Sequence, residues 1–267
     1  MKIRRILALA IAVIMLAALV SCGPKVDDIE KPGTDDSAQT TGDDTISEPT
    51  FEVEIKEEII VVHETEDGRK STKVLRYPEI IPGEGSDIDA ESINAHFRDI
   101  AEKQFIMNMP DVDIYLIEDT LFNYEVSEVE ITYLSNEFIS VKNTVYSMTS
   151  LSDYPECPVY TVNMTLPDGE IIDEDEVFVN FNEITSRFMM GDFAQVYGIE
   201  DILEQTNYED MILQYKSDYA SYPEIYFEYK DGETSLVLCI DLVAALGSSA
   251  GFSIPLSEIS EALDFMP

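Results

Sequence analysis

The chain has 267 residues, with 54 Asp and Glu against 16 Lys and Arg and a formal net charge of −38. Such a surface repels phosphate, so a nucleic-acid ligand and docking onto anionic lipid headgroups are both excluded. Tryptophan is absent, 14 Tyr and 12 Phe supply the aromatic area, and only 3 cysteines occur.

Residues 1–22 read as an export signal. Lys2, Arg4 and Arg5 give a positive start, Ile6 to Val20 is an unbroken apolar run, and Leu19-Val20-Ser21-Cys22 closes it. The run is short for a membrane span, which needs about 20 apolar residues. An ordinary secretory signal ends in a small-residue cleavage site. This ending resembles the bacterial lipoprotein box, which implies that Cys22 carries lipid and becomes the mature N-terminus. The chain is then anchored to the cell membrane on its extracytoplasmic side. Loss of Lys2, Arg4 and Arg5 takes the net charge from −38 to −41. Gly23 to Thr50 is rich in Asp, Thr, Ser, Pro and Gly. It has too little apolar surface to offset its chain entropy, and reads as a disordered acidic tether.

Phe51 to Pro267 has the size of one domain, or of two intimate subdomains dividing near residue 122 (51–122 and 123–267). FEVEIKEEIIVVHE and STKVLRYPEI read as a hairpin around Glu66-Asp67-Gly68. Asp89 is a good N-cap for a helix that carries Ile93, Phe97, Ala101 and Phe105 on one face and stops at Pro110. The segment from Asp111 to Phe122 is compatible with helix or strand.

A three-stranded meander follows. Val126 and Val129 differ in parity, which predicts a bulge near Ser127. The middle strand is apolar on both faces and is expected to be central. In the third, Tyr160, Val162, Met164 and Leu166 alternate with polar residues and lead into a Pro167-Asp168-Gly169 turn. Asp173 to Glu176 is an acidic helix start without the ligand spacing of a calcium loop. Phe181 to Tyr219 reads as mostly helical with breaks near Gly191 and Gly198. A hairpin around Lys230-Asp231-Gly232-Glu233 comes next, then a short strand, a proline turn and a terminal helix capped by Ser257. These elements predict an α+β fold, a mostly antiparallel sheet with helices packed on one face.

With Cys22 assigned to lipid, Cys157 and Cys239 are left. One disulfide is open to them in an exported protein, but Cys239 within SLVLCID reads as a small apolar strand residue, and two free thiols are preferred. His63 and His96 are the only histidines and make no metal site. No nucleophile elbow, nucleotide loop or zinc spacing is present, so neither catalysis nor a cofactor is expected.

The order of elements resembles the extracytoplasmic domain of the lysozyme-sensing anti-sigma factor RsiV and the module attached to the peptidoglycan deacetylase PdaC. The residues that carry the resemblance are LPDGEIIDEDEVF (Leu166 to Phe178) and GFSIPLSEI (Gly251 to Ile259). It spans Phe51 to Pro267. The chain departs from that family in the loop TSLSDYPECP, which lacks the glycines and histidine usual there. The resemblance and the acidity together imply a non-catalytic, monomeric binding protein for a cationic envelope partner such as a muramidase-like protein. Tyr146, Tyr154 and Tyr160, near the departed loop, are candidates for its aromatic patch. The alternatives are a module that binds cell-wall glycan (peptidoglycan) and a carboxylate-dependent glycan hydrolase.

Overall fold

The computed structural model describes residues 49–64, 66, 68–84, 86–107, 122–149, 155–166, 168–200, 202–215 and 222–267. The signal with Cys22, the tether up to residue 48, the segment 111–121 and Tyr154 lie outside them. Thr45–Pro267 is one compact unit.

The first hairpin pairs β1 (Phe51–Glu64) with β2 (Lys70–Pro82). Its register is unbroken from Phe51 opposite Pro82 to Val61 opposite Thr72, and a bulge follows between Val61 and His63. Helix α1 (Ala90–Met107) begins where Asp89 accepts the Ser92 N–H at 3.2 Å. Its apolar stripe buries Ile93, Phe97 and Ala101. Asn94 fastens the helix to β2, accepting from the Ile80 N–H at 2.7 Å and donating to the Ile80 carbonyl at 3.0 Å.

The chain then returns as β3 (Phe122–Leu134), parallel to β2 over Thr72–Val74. A parallel neighbour needs a crossover, and α1 lies within it. β4 (Phe138–Thr149) and β5 (Val159–Thr165) complete a sheet of order β1-β2-β3-β4-β5. The expected bulge in β3 falls between Val126 and Glu128. A second one, between Ile131 and Tyr133, carried no signal in the sequence. It turns Tyr133 away from the face that Ile131 occupies, and Tyr133 packs into the other core. β4 is central, as its two apolar faces predict. Ile139, Val141 and Val145 join Leu75, Ile80 and Phe97 in one core, and Phe138 joins Phe227 in the other.

α2 (Glu174–Val177) follows a tight turn in which Gly169 has φ +70°. That turn rests on α1, where His96 Nδ1 lies 3.2 Å from the Gly169 carbonyl. α3 (Phe181–Met190) starts at Asn180 and ends at Gly191, whose φ of 81° places it in the left-handed region. There the sequence reading needs correction. The stretch from Phe181 to Tyr219 is not helical throughout, because β6 (Ala194–Tyr197) intervenes before α4 (Ile202–Gln205) and α5 (Tyr208–Leu213). β6 is short and mostly exposed, so it shows no alternation, and its pairing with a distant strand makes it a strand.

β7 (Glu224–Lys230) and β8 (Glu233–Asp241) turn at Asp231 and Gly232, with φ of 54° and 85°. Two positive φ values in a two-residue loop match the twist of a hairpin. After a 3-10 turn at Ala244–Leu246, β9 (Ser249–Pro255) enters between β6 and β8, giving the order β6-β9-β8-β7. Tyr197 of β6 lies flat over Gly251 of β9, where an added Cβ would sit 2.0 Å from its ring. α6 is only Leu256–Ile259 and follows Pro255, so Ser257 lies inside it and does not cap it. Proline suits this place because the first helical turn leaves N–H groups unpaired in any case.

The fold is therefore α+β with mostly antiparallel pairing, as expected, but the strands of the described residues form two sheets. The first sheet runs through β5, with β2 and β3 side by side in it, and the second begins with β6. Cys157 and Cys239 are not joined in a disulfide.

A buried polar relay joins the sheets. β7 is an edge strand, and edge strands carry main-chain groups that need partners. The Phe227 N–H donates to Ser140 Oγ at 3.0 Å, and the Ile225 carbonyl accepts from Asn163 Nδ2 at 2.9 Å. Ser140 Oγ in turn donates to Asn163 Oδ1 at 2.7 Å. Both side chains stand on the face of the first sheet that turns away from α1, on directly opposed residues of β4 and β5. Each polar group in the relay has a partner, so the edge of one sheet docks on the face of the other without orphaned atoms.

Candidate functional site

Of the tyrosines singled out in the sequence, Tyr154 lies outside the described residues, and Tyr146 and Tyr160 stand on different faces of the first sheet. Asn143 of β4 stands opposite Tyr160 of β5, so these two share a face. Tyr146 is three residues from Asn143 along the same regular strand and therefore projects from the other face. Both are half-buried. Tyr160 packs against the core under α1.

A different grouping emerges from three elements that lie far apart in sequence. Glu224 opens β7, and its carboxylate accepts from both the N–H and the hydroxyl of Thr161 at 2.7 Å, covering the outer edge of β5. Glu174 opens α2. The Ile172 N–H donates to the Asn163 carbonyl at 2.8 Å, which brings α2 beside the same edge. Asp241 closes β8, two residues beyond Cys239, the cross-strand partner of Glu224. Its N–H donates to the Tyr215 hydroxyl at 2.9 Å.

Burial sets the acidity of all three. Glu224 is pushed up to about 7, by burial first and by the negative charge of Glu174 second, against the opposing pull of Thr161. Glu174 is raised by burial, with Asp173 and Asp175 adding to it. Burial also raises Asp241. Among the described residues none of the three has a Lys, Arg or His within ion-pair distance. Carboxylates held together without a counter-charge attract a cation from outside. A metal ion is a poor match, since no group of three or more His, Cys, Asp or Glu among the described residues has metal-binding geometry.

The sequence analysis noted only the Asp173–Glu176 end of this grouping. Glu224 and Asp241 sit at strand ends among many other acids, and only strand pairing brings them to α2.

A second titratable grouping has its charges paired internally, while the buried Tyr197 hydroxyl in it lacks a hydrogen-bond partner among the described residues. The Lys142 ammonium forms an ion pair with Glu130 and lies 5.0 Å from the ring centre of Tyr197 and 5.8 Å from that of Tyr226. Cys239, in the same cluster, is pushed up to about 12 by burial and is an inert thiol.

Hydrolysis of glycans would need two carboxylates facing a cleft. Glu224 and Glu174 have raised pKa values, but Glu224 is occupied by Thr161, whose N–H and hydroxyl both donate to its carboxylate. A hollow of about 10 Å³, room for about one water, is lined by Tyr77, Pro78, Phe97, Ile100, Ala101, Asn143 and Val162. It lies against α1 and includes none of the three acids. Its volume is below that of ordinary ligand pockets.

No family model matches the sequence, and no curated protein matches it. Among solved structures, a member of the DUF3298 family from Bacteroides fragilis NCTC 9343 is similar at 11% identity and a TM-score of 0.46, over 80% of this chain and 94% of that one. A DUF3298 family protein from Pseudomonas aeruginosa PAO1 is similar at 8% identity and a TM-score of 0.40, again over 80% and 94%. At these identities neither likeness assigns a family or a function.

Proposed function

We propose that this chain is a non-catalytic binding protein, held by lipid on the extracytoplasmic face of a bacterial membrane, that engages a cationic partner at the envelope. The observation that carries the reading is the grouping of Glu174, Glu224 and Asp241 without a cation among the described residues. The mature charge of −41, from −38 less three leader cations, and the resemblance to a lysozyme-sensing domain support it. A lysine or arginine of the partner entering this grouping relieves the repulsion between the acids. The surrounding negative field mainly speeds encounter and selects partners by charge.

The test is titration of the Thr45–Pro267 unit with basic muramidase-like proteins and with peptidoglycan fragments at several salt concentrations. Screening shortens the Debye length from about 10 Å at 0.1 M to about 3 Å at 1 M salt. Binding of the basic protein is expected to weaken more than about tenfold over that range. It is expected to tighten as pH rises through 7, where Glu224 loses its proton, and to weaken in Glu174→Gln/Glu224→Gln. Glycan binding that ignores salt, with no binding of basic proteins, would establish the accessory-module alternative instead.

Anchoring rests on Cys22, since lipoprotein processing supplies the multiple acyl chains that stable attachment requires. Among the described residues no helix is long and apolar enough to cross a membrane. Cys22→Ala is expected to move the chain from the membrane to the soluble fraction, and a variant that stays with the membrane would refute lipidation.

A further inference from the structure

The outer edge of β1 is unpaired among the described residues, and β1 is the first strand of its sheet. Long exposed edges recruit further strands unless they are blunted. The bulge after Val61 blunts its far end, and Glu52, Glu54, Lys56, Glu57 and Glu58 set charges along the rest. From Phe51 to Val61 it is regular, and along that stretch Ile55 (45%), Ile59 (65%) and Val61 (49%) are exposed on alternate positions.

The sequence VEIKEEIIV (Val53 to Val61) is nearly symmetric about Glu57. Laid antiparallel on a second copy with Glu57 opposite Glu57, it places Ile55 against Ile59 and Val53 against Val61. Lys56 meets Glu58 on both sides of the centre. Directly opposed residues share a face, so these apolar side chains pair with each other and Lys56 pairs with an opposite charge. The register ends at Val61, where the bulge begins.

Charge complementarity across the two-fold specifies a second copy here. Glu57 is paired with Arg76 (2.8 Å), Glu58 with Arg98 (3.1 Å) and Lys56 with Glu79 (2.6 Å). Arg76 also reaches Glu125 (2.6 Å) and Arg98 also reaches Glu102 (3.0 Å), so the strip stays negative and its charge is only partly offset. Across the two-fold, Lys56 of each copy meets Glu58 of the other, a match that a uniformly basic strand, setting a cation against Lys56, lacks.

We propose that β1 pairs antiparallel with β1 of a second copy about a two-fold axis at Glu57, joining the two five-stranded sheets into one. The seam is nine residues long and smaller than a standard interface of about 1,600 Å². The pair is therefore expected to be weak, with dilute chain monomeric and dimer forming at about 100 μM and above. Salt screens the repulsion between the two acidic bodies and so strengthens the pair, the opposite of its effect on a cationic partner.

The test needs no partner, so it stands or falls independently of the binding function. Sedimentation velocity of Thr45–Pro267 from about 1 μM to about 1 mM should show dimer rising with protein and with salt. Ile59→Lys should raise the dissociation constant at least about tenfold while leaving the melting temperature unchanged, since Ile59 is exposed. For register, Glu57→Cys on a Cys157→Ser background should form a disulfide-linked dimer, because opposed Cα atoms about 4.5–5.5 Å apart suit that bond. Val243→Cys, exposed but outside the strand, should not. A chain that stays monomeric at all these conditions overturns the proposal. So does a dimer indifferent to Ile59→Lys, or one in which the Glu57→Cys variant crosslinks no faster than the Val243→Cys variant.

Discussion

Asn163→Ala is expected to lower the free energy of unfolding by about 3 kcal/mol, with two buried atoms losing their partners at about 1–3 kcal/mol each. The amide donates to the Ile225 carbonyl and accepts from Ser140 Oγ. Asn163 is 3% exposed and Ser140 is fully buried, so water does not replace either bond. Ser140→Ala should cost a similar amount, because it orphans the Phe227 N–H and Asn163 Oδ1. The double variant should cost less than the two singles together, since both remove the same Ser140–Asn163 bond. Urea unfolding reads this as a fall in midpoint at constant slope. Small, additive effects would mean that the relay is not what fastens β7 to the first sheet.

Stability should fall as pH rises from about 4.5 to about 7, and Glu224→Gln should remove most of that fall. A carboxyl whose folded pKa lies above its unfolded one binds its proton more tightly in the folded state. Protonation therefore stabilises the fold, and the benefit is lost as pH climbs through the folded value. Glu224 rises from 4.5 to about 7, which corresponds to about 3 kcal/mol once Glu224 is fully ionised. Glu174 and Asp241 shift in the same direction and add to the slope. Glu58 works in the opposite sense. Arg98 first and Tyr77 second hold its carboxyl below the usual value, so its contribution is present above that value and fades as pH falls. Thermal melts between pH 4 and 8 measure the balance. A Glu224→Gln profile identical to the parent would show that Glu224 is ionised and solvated in the folded chain. The same acid links stability to binding, because a partner that needs Glu224 ionised also offsets the repulsion it creates.

Several elements were legible because their signals are local. The α1 cap and stripe, the β7–β8 turn at Asp231-Gly232, the bulge after Val126 and the central position of β4 depend on residues within a few positions of each other. The failures also have physical causes. β6 has no buried face of its own and becomes a strand only by pairing with β9. Ser257 looked like a cap by type, but Pro255 had already set the helix start. A period of two places Tyr146 and Tyr160 on opposite faces, which spacing across two strands does not reveal without the register.

Composition and local pattern were enough to establish an acidic α+β domain with hairpins, a meander and a capped helix, because charge and period are properties of neighbouring residues. The division into two sheets, the relay through Ser140 and Asn163, and the meeting of Glu174, Glu224 and Asp241 depended on tertiary pairing. The two side-chain groupings join residues from 17 positions apart, Glu224 to Asp241, up to 87 apart, Ser140 to Phe227. An acid among 54 in the sequence carries no mark of the neighbours that folding will give it, and only burial beside another acid separates Glu224 from the rest.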